Sequence, residues 1–166
     1  MGAGILPVTV YKDKIYFLYG RESVEASSKY DKGKWSDFGG GREKGESAKQ
    51  TAIREGFEET SGILGSEQDI ADMIHKNLLK KLVYNDGKGT YTVFLVLMPY
   101  DKTLPDKLKK IYKNALKKEP KKVFAHNGLF EKDRAEWIPL HKLNSRMHTF
   151  RRWYKPIVRQ TIELFN

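Results

Sequence analysis

The chain has 166 residues, no cysteine and a formal net charge of +10 from 31 Lys or Arg against 21 Asp or Glu. That length fits one domain with a real core, and the 39% apolar and 31% charged fractions exclude a disordered, collagen-like or coiled-coil chain. Disulfides and thiolate metal sites are excluded too, and the longest apolar run, "YTVFLVLMPY", is strand-sized and too short to span a bilayer.

The opening "MGAGILPVTVYK" has no basic leader and reads as a first strand over residues 3 to 11, so cytosol or nucleus is expected, with no membrane partner. "KIYFLYGR", residues 14 to 21, pairs with it across a short turn at "KDK". The loop "SSKYDKGKWSDFGGG" leads through a short strand around Trp35 to Phe38. A helix is predicted from Glu46 to about Ser61, with Gly62 and Gly65 fitting its end. "LLKKLVYND" and "GTYTVFLVLMPY" form a hairpin around "NDGKG", where Asp-Gly is a strong turn signal. "LPDKLKKIYKNALKK" repeats Leu108, Ile111, Tyr112, Ala115 and Leu116 at helical spacing and is ended by Pro120. "AEWIPLHKL" reads as a last strand and "MHTFRRWYKPIVRQTIELF" as a C-terminal helix with a kink or late start at Pro156. No repeat or linker interrupts the pattern, so residues 1 to 166 read as one mixed α/β domain.

The stretch "GGGREKGESAKQTAIREGFEETSGI" gathers five glutamates in a basic protein. On a helix advancing about 100° per residue, Glu58 and Glu59 lie about 60° and 40° to either side of Glu55, so three carboxylates share a face. Ile53 and Phe57 fall opposite and are expected to anchor the helix to the core. Like charges at this spacing repel, so either neighbouring basic residues such as Arg54 or a hard divalent cation must offset them.

Gly40, Glu46, Arg54, Glu55, Glu58 and Glu59 fit the pattern Gly-x5-Glu-x7-Arg-Glu-U-x-Glu-Glu-x-Gly-U, where U is bulky and apolar. This resembles the Nudix box, and the order of elements around it is similar to the Nudix fold. The resemblance implies an α/β/α sandwich with a mixed central sheet, which binds two to three magnesium or manganese ions and cleaves a diphosphate linked to another moiety. It implies that Glu55, Glu58 and Glu59 are metal-binding and catalytic and that Gly40 adds a carbonyl ligand. Arg54 would orient the glutamates through Glu46, and Glu43 matches no motif position. Gly56 departs from the bulky residue, and Ser61-Gly62 replaces the terminal Gly-apolar pair, as if the helix end were lengthened by one residue.

Water attack on one phosphorus of such a substrate needs a base. Glu59 is the first choice, with Glu131 and Glu136 as later residues able to enter the site. Arg21, Lys29, Lys32 and Lys34 precede the box closely enough to reach phosphates. Tyr30, Trp35, Phe124, Phe130 and Trp153 are aromatic candidates for stacking on a base, with core packing the commoner role for each. His126 and His148 lack ligand-like spacing.

Nine lysines between Lys102 and Lys122 suit a polyanionic partner: capped RNA, a nucleoside polyphosphate or an inositol pyrophosphate. Decapping of RNA ranks first because the charge extends beyond what a small ligand can touch. A diphosphoinositol or diadenosine polyphosphate hydrolase is the alternative, since the Ser-rich, Trp-containing approach to the glycines is similar to that of diphosphoinositol phosphohydrolases. A non-catalytic RNA-binding domain on the same fold is the reading of another class.

Overall fold

The computed structural model describes residues 1–166 except Ala26 and His126. Strand β1 (Gly2–Tyr11) turns into β2 (Lys14–Glu22) through Lys12 and Asp13, both with positive φ, the geometry of a tight two-residue hairpin. Short strands β3 (Trp35–Ser36) and β4 (Phe38–Gly41) precede helix α1 (Ala48–Glu59) and helix α2 (Glu67–Asn77). The hairpin β5 (Leu78–Asn85) and β6 (Thr90–Leu97) is followed by α3 (Leu104–Lys118), α4 (Pro120–Val123), β7 (Lys132–Pro139) and α5 (Lys155–Phe165).

The sheet runs β3-β2-β1-β6-β5, with β4 paired to β1 and β7 to β2. The β1–β6 pair is parallel and the others antiparallel, so the sheet is mixed. Central β1 is buried continuously from Gly2 to Thr9, as a strand covered on both faces must be. One face buries Ala3, Ile5 and Leu18 against Ala52 of α1, Ile70 of α2 and Leu108 of α3. The other buries Leu6, Val8 and Phe17 against Tyr154 and against Ile157 and Val158 of α5. The result is an α/β/α sandwich. Among the described residues no helix is long and apolar enough to cross a membrane.

Several elements differ from the sequence reading. Helix α2 was not anticipated, although Ser66 and Asp69 form a capping box at its start and Ile70 and Ile74 bury its apolar side. Pro120 does more than stop α3: it opens the short α4. Pro156 stands in the first turn of α5, so this helix starts late, after 3-10 turns at Met147–Thr149 and Arg152–Tyr154. In α1 the buried residues are Thr51, Ala52, Glu55, Gly56 and Glu59, while Phe57 is 37% exposed. The helix thus seats on its smallest residues beside its carboxylates, since a Cβ added at Gly56 would lie 2.8 Å from Ile5 Cγ2. A bulky side chain at 56, the position where the Nudix box carries one, would push α1 off β1.

Candidate active site

The carboxylate helix is held at both ends by its own sequence. Ser47 and Gln50 close a reciprocal capping box at the start. At the end, Gly62 N–H donates to Phe57 C=O at 3.1 Å and Ser61 N–H to Glu58 C=O at 3.2 Å, the two bonds of a Schellman motif. Ser61 takes the left-handed conformation, φ +53°, so it occupies the place of the box's glycine directly. The helix is therefore not lengthened; a serine adopts the glycine conformation.

Between these ends Arg54 gathers the acids. Its Nε donates to Glu46 Oε1 at 2.6 Å and its Nη2 to Glu46 Oε2 at 3.1 Å and to Gly41 C=O at 2.9 Å. Its Nη1 reaches Glu55 at 2.9 Å and Glu58 at 3.4 Å. These bonds to Arg54 hold the Glu46 carboxyl down at a pKa of about 2. Glu43, largely exposed, lies 3.8 Å from Arg54 Nε.

Glu55, Glu58 and Glu59 behave oppositely: burial raises the pKa of each, against the lowering pull of Arg54 on the first two and of Lys132 on Glu59. Glu131 adds repulsion to all three, so it faces the cluster, whereas Glu136 pairs with Arg146 elsewhere on β7. Two glycines border the cluster. A Cβ at Gly40 would lie 2.5 Å from Glu55 Oε1, and one at Gly128 2.5 Å from Glu58 Oε2.

Among the described residues no three Asp, Glu or His side chains converge as a finished cation cage; Glu55 and Glu58 are turned onto Arg54. The donor set nonetheless fits a hard divalent ion in kind: three carboxyl groups on one helix, brought together against burial and mutual repulsion, beside positions with no side chain to obstruct them.

Sequence reasoning missed Lys132. Its side chain is wholly buried, and Nζ donates to Glu22 at 2.8 Å and Ser36 at 2.7 Å and lies 3.8 Å from Glu59 Oε2. Burial alone would lower its pKa, but Glu22 and Glu59 reverse this and raise it. Arg151 joins the same network through Glu22 at 3.1 Å and Asp31 at 3.2 Å. Nothing in the run "FEKDRAE" marks its lysine as buried; the pairing of β7 with β2 does that.

Strand β4 separates the glutamates from a cleft. Gly40 faces Glu55, whereas Gly39 faces the Tyr91 hydroxyl and Gly41 faces open space. The cleft, about 770 Å³, is lined by β4, Tyr84, Lys88, Tyr91, Arg151, Arg152 and Trp153. Trp153 is 38% exposed, meets Tyr91 edge-on with centroids 4.9 Å apart and carries the Arg151 guanidinium 5.2 Å from its ring.

The other substrate candidates lie away from this cleft. Arg21 is engaged by Asp133 at 2.8 and 3.1 Å, and Lys34 donates to His148 C=O at 3.2 Å. Trp35 is 6% exposed in the core beneath Arg146, so its ring is closed to a ligand. Lys32 is exposed, and Lys29 sits over the exposed Tyr30 ring. Phe130 packs against the Tyr112 cluster and Phe124 is exposed. His148 is exposed; His126 lies outside the described residues.

The site is thus a glutamate-bearing helix seated against a glycine strand inside a mixed-sheet sandwich. The model described as the NUDIX domain matches residues 1–161, and the chain belongs to the Nudix family, hydrolases acting on diphosphate linkages. Three solved structures share the fold. The NUDIX domain of Shewanella oneidensis NrtR complexed with ADP ribose is 14% identical, with 99% of this chain and 87% of that chain covered and a TM-score of 0.54. A C. elegans Ap4A hydrolase is 16% identical, with 99% and 96% covered and a TM-score of 0.51. A bifunctional NMN adenylyltransferase/ADP ribose pyrophosphatase from Francisella tularensis, complexed with AMP and Mn ion, is 18% identical, with 97% and 41% covered and a TM-score of 0.57. No curated protein sequence gives a significant match.

Proposed function

We propose that the chain hydrolyses a diphosphate bond in a nucleoside-diphosphate-linked substrate, with the 5′ cap or 5′ end of RNA as the first choice. The observation that carries this reading is the glycine strand β4, which has Glu55 against one face and an aromatic, arginine-lined cleft against the other. A nucleoside held in the cleft has its phosphates beside a backbone that offers no side chain to block them.

Glu55, Glu58 and Glu59, with the Gly40 carbonyl, are the groups that would hold magnesium or manganese, which supplies positive charge to offset the phosphate oxygens. Glu59 is the residue that takes the proton from the attacking water; Glu131, facing the same cluster, is the second candidate. A phosphorus–oxygen bond of the diphosphate breaks, and water supplies the new one, leaving two phosphorylated fragments or one plus phosphate. Arg54 and Glu46 keep the helix face in place without touching the substrate.

Trp153 and Tyr84 offer ring faces to a base, and Arg152 and Lys88 offer charge to phosphates. The aromatic lining also suits a dinucleoside polyphosphate, the second reading, and suits an inositol pyrophosphate less, since that ligand has no base to stack. The exposed lysines of α3, on the same side of the sheet as α1, favour a substrate with a long phosphate backbone.

The replacement Glu58→Gln/Glu59→Gln is expected to abolish hydrolysis, by about 100-fold or more. Trp153→Ala is expected to raise KM about 10-fold with kcat little changed, the loss of one stacking contact. Hydrolysis retained by the double variant would remove α1 from the chemistry.

A further inference from the structure

Lys132 is built into the site more deeply than a salt bridge requires. Its stem lies across β2 where Gly20 has no side chain: a Cβ there would meet Lys132 Cδ at 3.0 Å and Phe38 Cε1 at 2.7 Å. The ammonium has three protons, and three oxygens surround it, those of Glu22, Ser36 and Glu59. Glu22 is not a private partner, because the same Oε1 also accepts from Arg151 at 3.1 Å. Two cations thus share one carboxylate oxygen; Arg151 has a second partner in Asp31 at 3.2 Å, whereas the other carboxylate beside Lys132 is Glu59.

Glu59 meets this charge with one oxygen. Its Oε2 accepts from Gly39 N–H at 2.8 Å and lies 3.8 Å from Lys132 Nζ. One hydrogen-bond donor from β4, Gly39 N–H, and one ion-paired ammonium from β7, Lys132, therefore converge on the same oxygen of the Glu59 carboxylate. We propose that Lys132 is a positioning residue that locks Glu59 in this orientation, a role that rests on Glu59 taking part in the reaction. It acts through Glu59 and does not touch the substrate.

The test compares Lys132→Met with the double variant Glu22→Gln/Lys132→Met, measuring kcat and KM on the substrate that wild type cleaves best, melting temperature, and Mn²⁺ affinity by calorimetry. Lys132→Met is expected to lower kcat about 30-fold with KM within about 2-fold, and to weaken Mn²⁺ binding about 5-fold. It should also melt earlier, because Glu22 is left buried with one partner fewer. The double variant removes that unpaired charge and is expected to recover the melting temperature but not kcat.

Recovery of kcat together with stability would mean that Lys132 only balances Glu22, which overturns the proposal, as would unchanged Mn²⁺ affinity in both variants. Should Lys132→Met fail to fold, Ser36→Ala removes one of the two short bonds and is expected to lower kcat about 3-fold; an unchanged kcat there counts against the role. A wild type that cleaves no diphosphate substrate sinks the functional reading alone, and the Mn²⁺ titration then decides the positioning by itself.

Discussion

Arg54 touches Glu46, Glu55, Glu58 and the Gly41 carbonyl at once, so its removal frees acids that repel each other. Glu46→Gln keeps the shape of this clamp but loses its charge, and is expected to cost about 1 kcal/mol, read by denaturant unfolding at pH 7. Because the Glu46 pKa is depressed to about 2, its contribution is present above the usual carboxylate range and is lost as pH falls toward 2. The Glu46→Gln penalty should shrink over that interval.

Asp37 has the opposite sign. Burial pushes its pKa up to about 7, so folding favours the protonated acid and stability falls as pH rises from about 4 to about 7. Asp37→Asn can still accept from the Tyr91 hydroxyl, which lies 2.9 Å from Asp37 Oδ1. It is expected to raise the melting temperature by several degrees at pH 8 and to have little effect at pH 4. At this scale the pairing of Glu46 with Arg54 was legible from spacing. Lys132, Glu22 and Arg151 were not, since they meet across separations of 110 and 129 residues that only the strand pairing closes.

Helix α1 shows what a residue pattern reveals of an element and what it does not. The shared face of Glu55, Glu58 and Glu59 follows from helical geometry, but which neighbouring arc is buried depends on how near the helix lies to β1. Of the two residues expected to anchor the helix, Ile53 packs half-buried against the core but Phe57 is exposed; Gly56 and Ala52 make the closest seat, because the Ile5 side chain leaves no room for a larger residue at 56. Gly56→Ala gains helix propensity of about 1 kcal/mol yet is expected to destabilise by about 1–3 kcal/mol, as the methyl meets Ile5. At the other end, Ser61→Gly relieves a left-handed serine and is expected to stabilise by about 1 kcal/mol in denaturant unfolding. Its kcat should be unchanged, since Ser61 lies beyond the carboxylates. Helix α2 carries few apolar residues, so its periodicity is weak in the sequence, although Ser66 and Asp69 mark its start.

Over the whole molecule, one mixed α/β domain was legible from the order of strand-like and helix-like segments, with α3 the clearest by its spacing, whereas the mixed sheet between two helix layers followed from the resemblance to the Nudix fold. The cleft was not legible, because beyond Gly40 of β4 it assembles from the β5–β6 hairpin and the turn before α5, which carry no motif. The formal charge of +10 gives the molecule a field that gathers polyanions, with nine lysines between Lys102 and Lys122 as one concentration of it. If RNA is the substrate, binding should weaken steeply with added salt, whereas a small nucleotide should show a shallow dependence.

The most direct measurement is hydrolysis by the purified chain in magnesium and in manganese of capped RNA, a dinucleoside polyphosphate, ADP-ribose and an inositol pyrophosphate, with the products identified. The expected result is cleavage of a diphosphate bond in a nucleoside-linked substrate, dependent on the divalent ion and lost in Glu58→Gln/Glu59→Gln. No cleavage of any of the four in either metal, or cleavage that survives the double replacement, would contradict it.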